Sequence, residues 1–274
     1  RTHRPAVVIL DSLCNTESIV VPPMRELLLA IADNATRLTA VIVDNTGLGP
    51  TYDPLDDVPV ASKIRPIVFE SLNKYYQYGM DRVTGGIVWT PAATPFGVLT
   101  WRMHLGTNIA DASIHAIPEP NAALLERRLA RFERNATWLA TELDAFLKSH
   151  RTPLSHVNYP NLPTHAAYAI TRQHSFHGSF LTLAFKPLYR KPFVYKAWVN
   201  AAIDEAKKAG VELNAGTSFG FDVTRVYLTA LHADKNTVPF VRVSVGTETD
   251  AQMRALLGVF TRACERISAF GLLG

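Results

Sequence analysis

The stretch Ile64-Arg65-Pro66-Ile67-Val68-Phe69-Glu70-Ser71-Leu72-Asn73-Lys74-Tyr75 decides how this chain of 274 residues is read. Ile64 to Phe69 is strand-like, and the polar residues after it lead into Gly79 and the pair Gly85-Gly86. That order places Lys74 at the carboxyl end of a strand, where open α/β sheets collect ligands. Partial desolvation of an amine at such a place favours a Schiff base with an aldehyde cofactor. Taken alone, Lys74 is more often an ordinary surface lysine.

Two further strand-like runs lie upstream. Ala6 to Leu10 ends at Asp11 and Thr39 to Val43 ends at Asp44, and both read as buried parallel strands. Between them, Pro22-Pro23 precedes the stripe Met24, Leu27, Leu28, Ile31, which predicts a helix and so a β-α-β unit. Gly85 to Trp89 is one more strand. From Asn121 to Phe146 the apolar positions keep helical spacing for about seven turns, a long helix suited to linking two domains. Beyond His150 to Pro163 the pattern runs strand (Ser179 to Phe185), helix (Phe193 to Ala209), strand (Phe240 to Val245), helix (Asp250 to Ile267). The expected fold class is therefore α/β, with a mostly parallel sheet in a larger domain over 1–148 and a smaller α+β domain over 149–274.

Other residues suit the same chemistry. Asp44, in Val43-Asp44-Asn45-Thr46, could pair with a protonated pyridine nitrogen, or cap a turn. Arg242 alternates with Val241 and Val243, which sets it on the opposite strand face, where it offers a fork for a carboxylate or a structural ion pair. Asn15 can donate to a phenolate-like oxygen or form an Asx turn; Ser71 and Ser218 are phosphate or substrate donors or turn hydroxyls.

Composition narrows the classes. Hydrophobic residues make up 47% and charged residues 19%, and the net charge of +4, from 28 Lys and Arg against 24 acids, is spread without a basic block, which argues against nucleic acid. No apolar run approaches the ~18 residues of a membrane span, and Arg1-Thr2-His3-Arg4 has no signal-peptide pattern. Two separated cysteines, Cys14 and Cys264, suggest neither a disulfide framework nor a zinc site, so a cytoplasmic setting is expected. The nine histidines form no His-x-x-x-His pair and no Gly-rich nucleotide loop follows a strand, so no metal is expected.

In chain order these segments resemble the Cys/Met-metabolism family of pyridoxal-phosphate (PLP) enzymes, the cystathionine γ-synthases, γ-lyases and methionine γ-lyases of fold type I, the aspartate-aminotransferase-like fold. Asp11-Ser12-Leu13-Cys14-Asn15 is similar to Glu-Ser-Pro-Thr-Asn, Val43-Asp44-Asn45-Thr46 to Val-Asp-Asn-Thr, and Ser71-Leu72-Asn73-Lys74-Tyr75 to Ser-x-Thr-Lys-Tyr. Val157 to His165 resembles Val-x-Tyr-Pro-Gly-Leu-Pro-Ser-His, Thr217 to Gly220 the Ser-Leu-Gly substrate loop, and Arg242 to Gly246 Arg-Leu-Ser-x-Gly. The resemblance implies that Lys74 is the Schiff-base lysine, that Asp44, Asn15, Ser71 and Asn73 bind PLP, and that Arg242 and Ser218 bind an amino-acid substrate.

Departures bear on the reaction. Asn73 stands for Thr, Thr16 for Pro, Gln77 to Asp81 for Gly-His-Ser-Asp, and Phe221 to Thr224 breaks Gly-x-Glu-Ser. The resemblance implies β- or γ-elimination or replacement on a sulfur-containing or activated amino acid, a lyase or transferase of transsulfuration type. The alternatives are carbon–carbon-forming or decarboxylating PLP chemistry, and a noncatalytic partner subunit of the same fold. It also implies a homodimer or homotetramer. The family's Gly-rich phosphate loop and ring-stacking aromatic precede the position of Arg1, so they are expected in an upstream segment or a second chain.

Overall fold

The computed structural model describes residues 4–60, 62–91, 97–229 and 239–270. The chain forms two compact units, Arg1–Cys14 with Val21–Ala122, and Asn15–Val20 with Ala123–Gly274. Arg1, Thr2 and His3, whose sequence bears on the signal-peptide reading, lie outside the described residues.

In the first unit, strands β1 (Val7–Asp11), β2 (Thr39–Asp44), β3 (Ile64–Ser71) and β4 (Gly86–Trp89) form a four-stranded sheet in that order, with helix α1 (Met24–Asn34) between β1 and β2. The first three strands are parallel and β4 is antiparallel to β3. Short helices α2 (Val98–His104) and α3 (Asp111–Ala116) complete the unit. Met24 and Leu28 of α1 pack on Val41, Val43 and Ile64, as the i, i+4 stripe dictates. Pro66, which lacks an N–H for a ladder, sits in the half of β3 that pairs on one side only.

One expectation needs correction here. β2 is buried, but β1 is not: Val7 is 49% and Ile9 71% exposed, because β1 is the edge strand of this sheet. Apolar β-branched sequence fixes strand type without fixing which strand lies inside.

The second unit is built on helix α4 (Ala122–Ser149), strand β5 (Leu154–Asn158), helix α5 (Tyr168–Thr171), strand β6 (Phe180–Phe185), helix α6 (Pro192–Ala209), strands β7 (Asn214–Ala215), β8 (Arg225–Thr229) and β9 (Phe240–Ser244), and helix α7 (Asp250–Phe270). Its sheet runs β5-β6-β9-β8-β7, antiparallel except for β7 with β8. The long α4 groups with this unit, since Ala136, Leu139, Ala140 and Leu143 enter the same core as Leu181, Val241 and Trp198. Trp198 is wholly buried and its indole N–H donates to the Cys264 thiol at 3.3 Å. Burial pushes that thiol up to about 12. Helix α6 opens on Pro192 and stops at Gly210, whose φ of 64° is the left-handed conformation that a helix end favours. Among the described residues no helix is long and apolar enough to cross a membrane.

Candidate active site

Because β1, β2 and β3 are parallel, their carboxyl ends lie along one edge of the first sheet. Asp11 and Asp44 stand in register there, and Ser71 closes β3 two residues past the partner of Asp44. Asp44 folds its carboxylate back to accept from Thr46 N at 2.9 Å, forming an Asx turn. Asp44 thus ends a strand and also caps the turn after it.

The turn after β2 is tied to the turn carrying Lys74. Ser71 N donates to Thr46 Oγ1 at 3.0 Å, the buried Tyr75 hydroxyl to Gly47 O at 3.1 Å, and Asn45 Nδ2 to Glu70 Oε1 at 2.6 Å. Gly47 is required, since a Cβ there would fall 2.7 Å from the Leu13 Cβ. Lys74 is half-buried on this braced turn. Ser71 Oγ accepts from Asn73 N at 3.3 Å; Asn73 Oδ1 accepts from Gly85 N at 3.2 Å while its Nδ2 donates to Asp81 at 3.0 Å. Asn73 therefore uses both ends of its amide on the loop itself.

Three acidic or phenolic groups here feel their surroundings. Burial raises the Asp11 carboxyl to about 6, against a hydrogen bond from Leu13 N, and the charge of Asp44 adds to the rise. Burial also raises Glu70, offset in part by hydrogen bonds from Tyr76 and Asn45, and raises the Tyr76 phenol. Glu70, Tyr76 and the buried Gln77, whose Oε1 accepts from Arg82 N and Val83 N at 2.9 Å each, were given no bonding role from sequence. Gln77 in a polar, Tyr-rich stretch gave no signal of burial.

In the second unit Arg242 and Asn15 meet. Arg242, 5% exposed, projects from β9 on the face away from Val241 and Val243, as alternation predicts, but that face is covered too. Its Nη1 donates to Asn15 Oδ1 at 2.9 Å and its Nη2 to the Ser218 carbonyl at 3.3 Å, with Phe180 and Phe219 rings 5.6 and 6.0 Å from the guanidinium. Ser218 meets Arg242 through its carbonyl, and its φ of 72° is rare for a residue with a side chain. Asn15 Nδ2 keeps no protein acceptor among the described residues, so it remains a donor. The segment after Asn15 is held by residues of the Val157 to His165 motif: Asn158 Nδ2 donates to Glu17 O at 2.8 Å, and His165 Nε2 lies 2.9 Å from Ser18 O.

A polar network that sequence reading passed over anchors the same motif. Glu133 accepts from His177 Nδ1 and from His177 N at 2.8 Å, from Asn161 at 3.0 Å and from Tyr159 at 3.1 Å. Burial alone would raise the Glu133 carboxyl, but the hydrogen bonds and charge of His177 outweigh it and hold it below the usual value. Among the described residues no group of three His, Cys, Asp or Glu is placed to hold a metal ion.

The polar groups of the first unit suit a PLP molecule: the Asp44 carboxylate and Ser71 hydroxyl at adjoining strand ends, with the Lys74 amine on the turn after β3, are the group types that a ring nitrogen, a phosphate and an aldehyde call for.

No protein-family model matches the chain. The bifunctional enzyme flvA of Aspergillus flavus is 28% identical over 271 residues, which cover 94% of this chain and 30% of flvA. Among solved structures, a cystathionine γ-lyase (CalE6) from Micromonospora echinospora aligns with TM-score 0.71 at 20% identity, over 95% of this chain and 64% of that one. The metB protein of Corynebacterium glutamicum gives 0.70 at 20% identity over 95% and 63%. The cystathionine γ-synthase of Xanthomonas oryzae pv. oryzae with cystathionine gives 0.66 at 21% identity over 97% and 64%. The chain spans less than two thirds of each of these proteins. The fold is the one expected from sequence, the aspartate-aminotransferase-like fold type I.

Proposed function

We propose that the chain takes part in PLP-dependent elimination or replacement at the β or γ carbon of a sulfur-containing or otherwise activated amino acid. The observation that carries this reading is the grouping of Asp44, Ser71 and Lys74 at adjoining parallel strand ends, braced by the Thr46–Ser71 and Tyr75–Gly47 hydrogen bonds. PLP, when bound, supplies an electron sink for charge developing at the substrate Cα.

Each residue then has a defined task. Lys74 would hold the cofactor aldehyde through Nζ, and the same atom would carry the proton taken from the substrate Cα. Asp44 would keep the ring nitrogen protonated, Ser71 would donate to the phosphate, and Asn15 Nδ2 would be the donor for the ring oxygen. Asn73 keeps the lysine turn in shape. Arg242 takes the substrate carboxylate on its fork, held for that task by Asn15 and by Ser218. The same reading implies a cytoplasmic homo-oligomer.

Adding PLP to the purified protein should give a visible absorption band, and borohydride should bleach that band while fixing the cofactor covalently to Lys74. A band of the same strength in Lys74→Ala would sink the reading. Mass spectrometry of products from methionine, cystathionine and O-acyl homoserines then assigns the bond.

The altered segments Gln77 to Asp81 and Phe221 to Thr224 support a second reading, carbon–carbon bond formation or decarboxylation on the same cofactor. A product in which NMR shows a new carbon–carbon bond, or release of carbon dioxide, would favour it.

A further inference from the structure

Arg225 lies beside Arg242 and has no task in the proposed mechanism. In the β8–β9 ladder Tyr227 faces Arg242 and Arg225 faces Ser244, so both arginines stand on the same sheet face as diagonal neighbours. Such neighbours are separated by roughly 7–8 Å at Cα. Both hold consecutive carbonyls of one loop: Arg225 Nη1 donates to Thr217 O at 3.1 Å, and Arg242 Nη2 to Ser218 O at 3.3 Å. The Arg225 guanidinium lies 3.5 Å from the centre of the Phe221 ring, which fixes its plane.

Arg225 is half-buried, yet no carboxylate pairs with it among the described residues, and its Nε is buried without a hydrogen-bond partner there. Arginines used to tie this unit together behave differently. Arg128 pairs with Asp222 at 2.6 Å, Arg134 with Asp250 at 2.7 Å and Arg190 with Glu17 at 2.8 Å. A guanidinium that is partly desolvated, held flat and without a counter-ion is a prepared anion receptor.

We propose that Arg225 is a specificity-determining residue that receives a second carboxylate of the substrate, several bonds from the α-carboxylate held by Arg242. The assignment rests on the reading of Arg242 as the α-carboxylate clamp. The preferred substrates are then amino acids whose side chain or leaving group ends in a carboxylate. The Phe221 ring, 3.5 Å from the guanidinium, keeps Arg225 from swinging away.

The test uses the O-succinyl and O-acetyl esters of L-homoserine, which differ by one terminal carboxylate. Their affinities are measured by calorimetry on Lys74→Ala protein, which binds without turnover, beside a Lys74→Ala/Arg225→Gln double variant. The charged protein should bind the succinyl ester about ten-fold or more tightly than the acetyl ester, the effect of one charge-assisted hydrogen bond. Arg225→Gln should erase that preference while leaving acetyl-ester affinity within about two-fold, and Arg225→Lys should restore part of it. Equal affinity for both esters before any change at Arg225 overturns the proposal, whether or not the variant folds. An equal loss for both esters in Arg225→Gln also overturns it, since it marks a purely structural arginine. A visible band on PLP addition in the Lys74-containing protein is scored separately, so loss of the cofactor reading and loss of this one give different results.

Discussion

Arg242 Nη1 and Asn15 Oδ1 are 2.9 Å apart, joining residues separated by 227 positions in sequence. A hydrogen bond to a charged group contributes about 1.5–3 kcal/mol. Asn15→Ala should therefore weaken amino-acid binding roughly ten-fold by releasing one side of the fork. Arg242→Ala should cost about 2–5 kcal/mol, and Arg242→Lys should recover little of it because a single ammonium cannot replace a planar fork. Dissociation constants for L-methionine from calorimetry on Lys74→Ala protein would check both, and an Arg242→Lys protein that binds like its parent would contradict the clamp.

Gly246 has no room for a side chain. A Cβ would lie 2.3 Å from the Asp222 carbonyl, which is itself held by Thr247 N at 2.9 Å, while Gly246 N donates to Thr224 Oγ1 at 3.1 Å. Backbone must move on one side or the other. Gly246→Ala should lower stability by about 2 kcal/mol or more, read as an earlier urea midpoint at constant slope. An unshifted midpoint would show that this turn yields freely.

Glu133 makes stability pH-dependent in a known direction. Its folded-state proton affinity lies below the ordinary value of 4.5, so its contribution is present above that pH and is lost as pH falls through the depressed folded value. Glu133→Gln should cost about 2–3 kcal/mol near neutrality, where His177, Asn161 and Tyr159 lose a charged acceptor. Unfolding series from pH 7 to pH 3 should show the gap between variant and parent closing at the acid end. A gap of constant size would deny the carboxylate its assigned charge.

Asp11 has the opposite sign. Its carboxyl is raised from 3.8 to about 6, so the stability it contributes is full below 3.8 and is lost as pH rises through 6. Asp11→Asn keeps an oxygen for Leu13 N and removes the charge beside Asp44. The variant should be at least as stable as the parent at pH 7, and the decline between about pH 4 and 6 should flatten. Melting temperatures at half-unit pH steps would decide, and an unchanged slope would count against burial, with the Asp44 charge, raising this carboxyl.

Much of this molecule could be read before its structure was known, for physical reasons that differ by element. β2 and α1 announce themselves because period and burial coincide in Val41, Val43, Met24 and Leu28. α6 is bounded by a proline and a glycine that can do little else at those places. β5 escaped notice because Ser155 and His156 interrupt its apolar pattern at a register shift, and β8 because Arg225 and Tyr227 sit on its outer face. At the site, strand-end placement of Asp44, Ser71 and Lys74 followed from the run of apolar residues before each. What sequence could not reveal was long-range pairing. Nothing local in Glu70 predicts Asn45 as its partner, and nothing in Glu133 predicts His177, since those bonds depend on how strands and helices return to one another.

The contact between Trp198 and Cys264 gives the second unit two built-in reporters. An indole in a dry core emits at short wavelength and is quenched by a neighbouring thiol, so separation of the two side chains should brighten and redden the emission together. A thiol pushed up to about 12 is almost wholly unionised at neutrality and resists alkylation while enclosed. The rate at which iodoacetamide labels Cys264 therefore counts the openings of this core, and the emission of Trp198 times them.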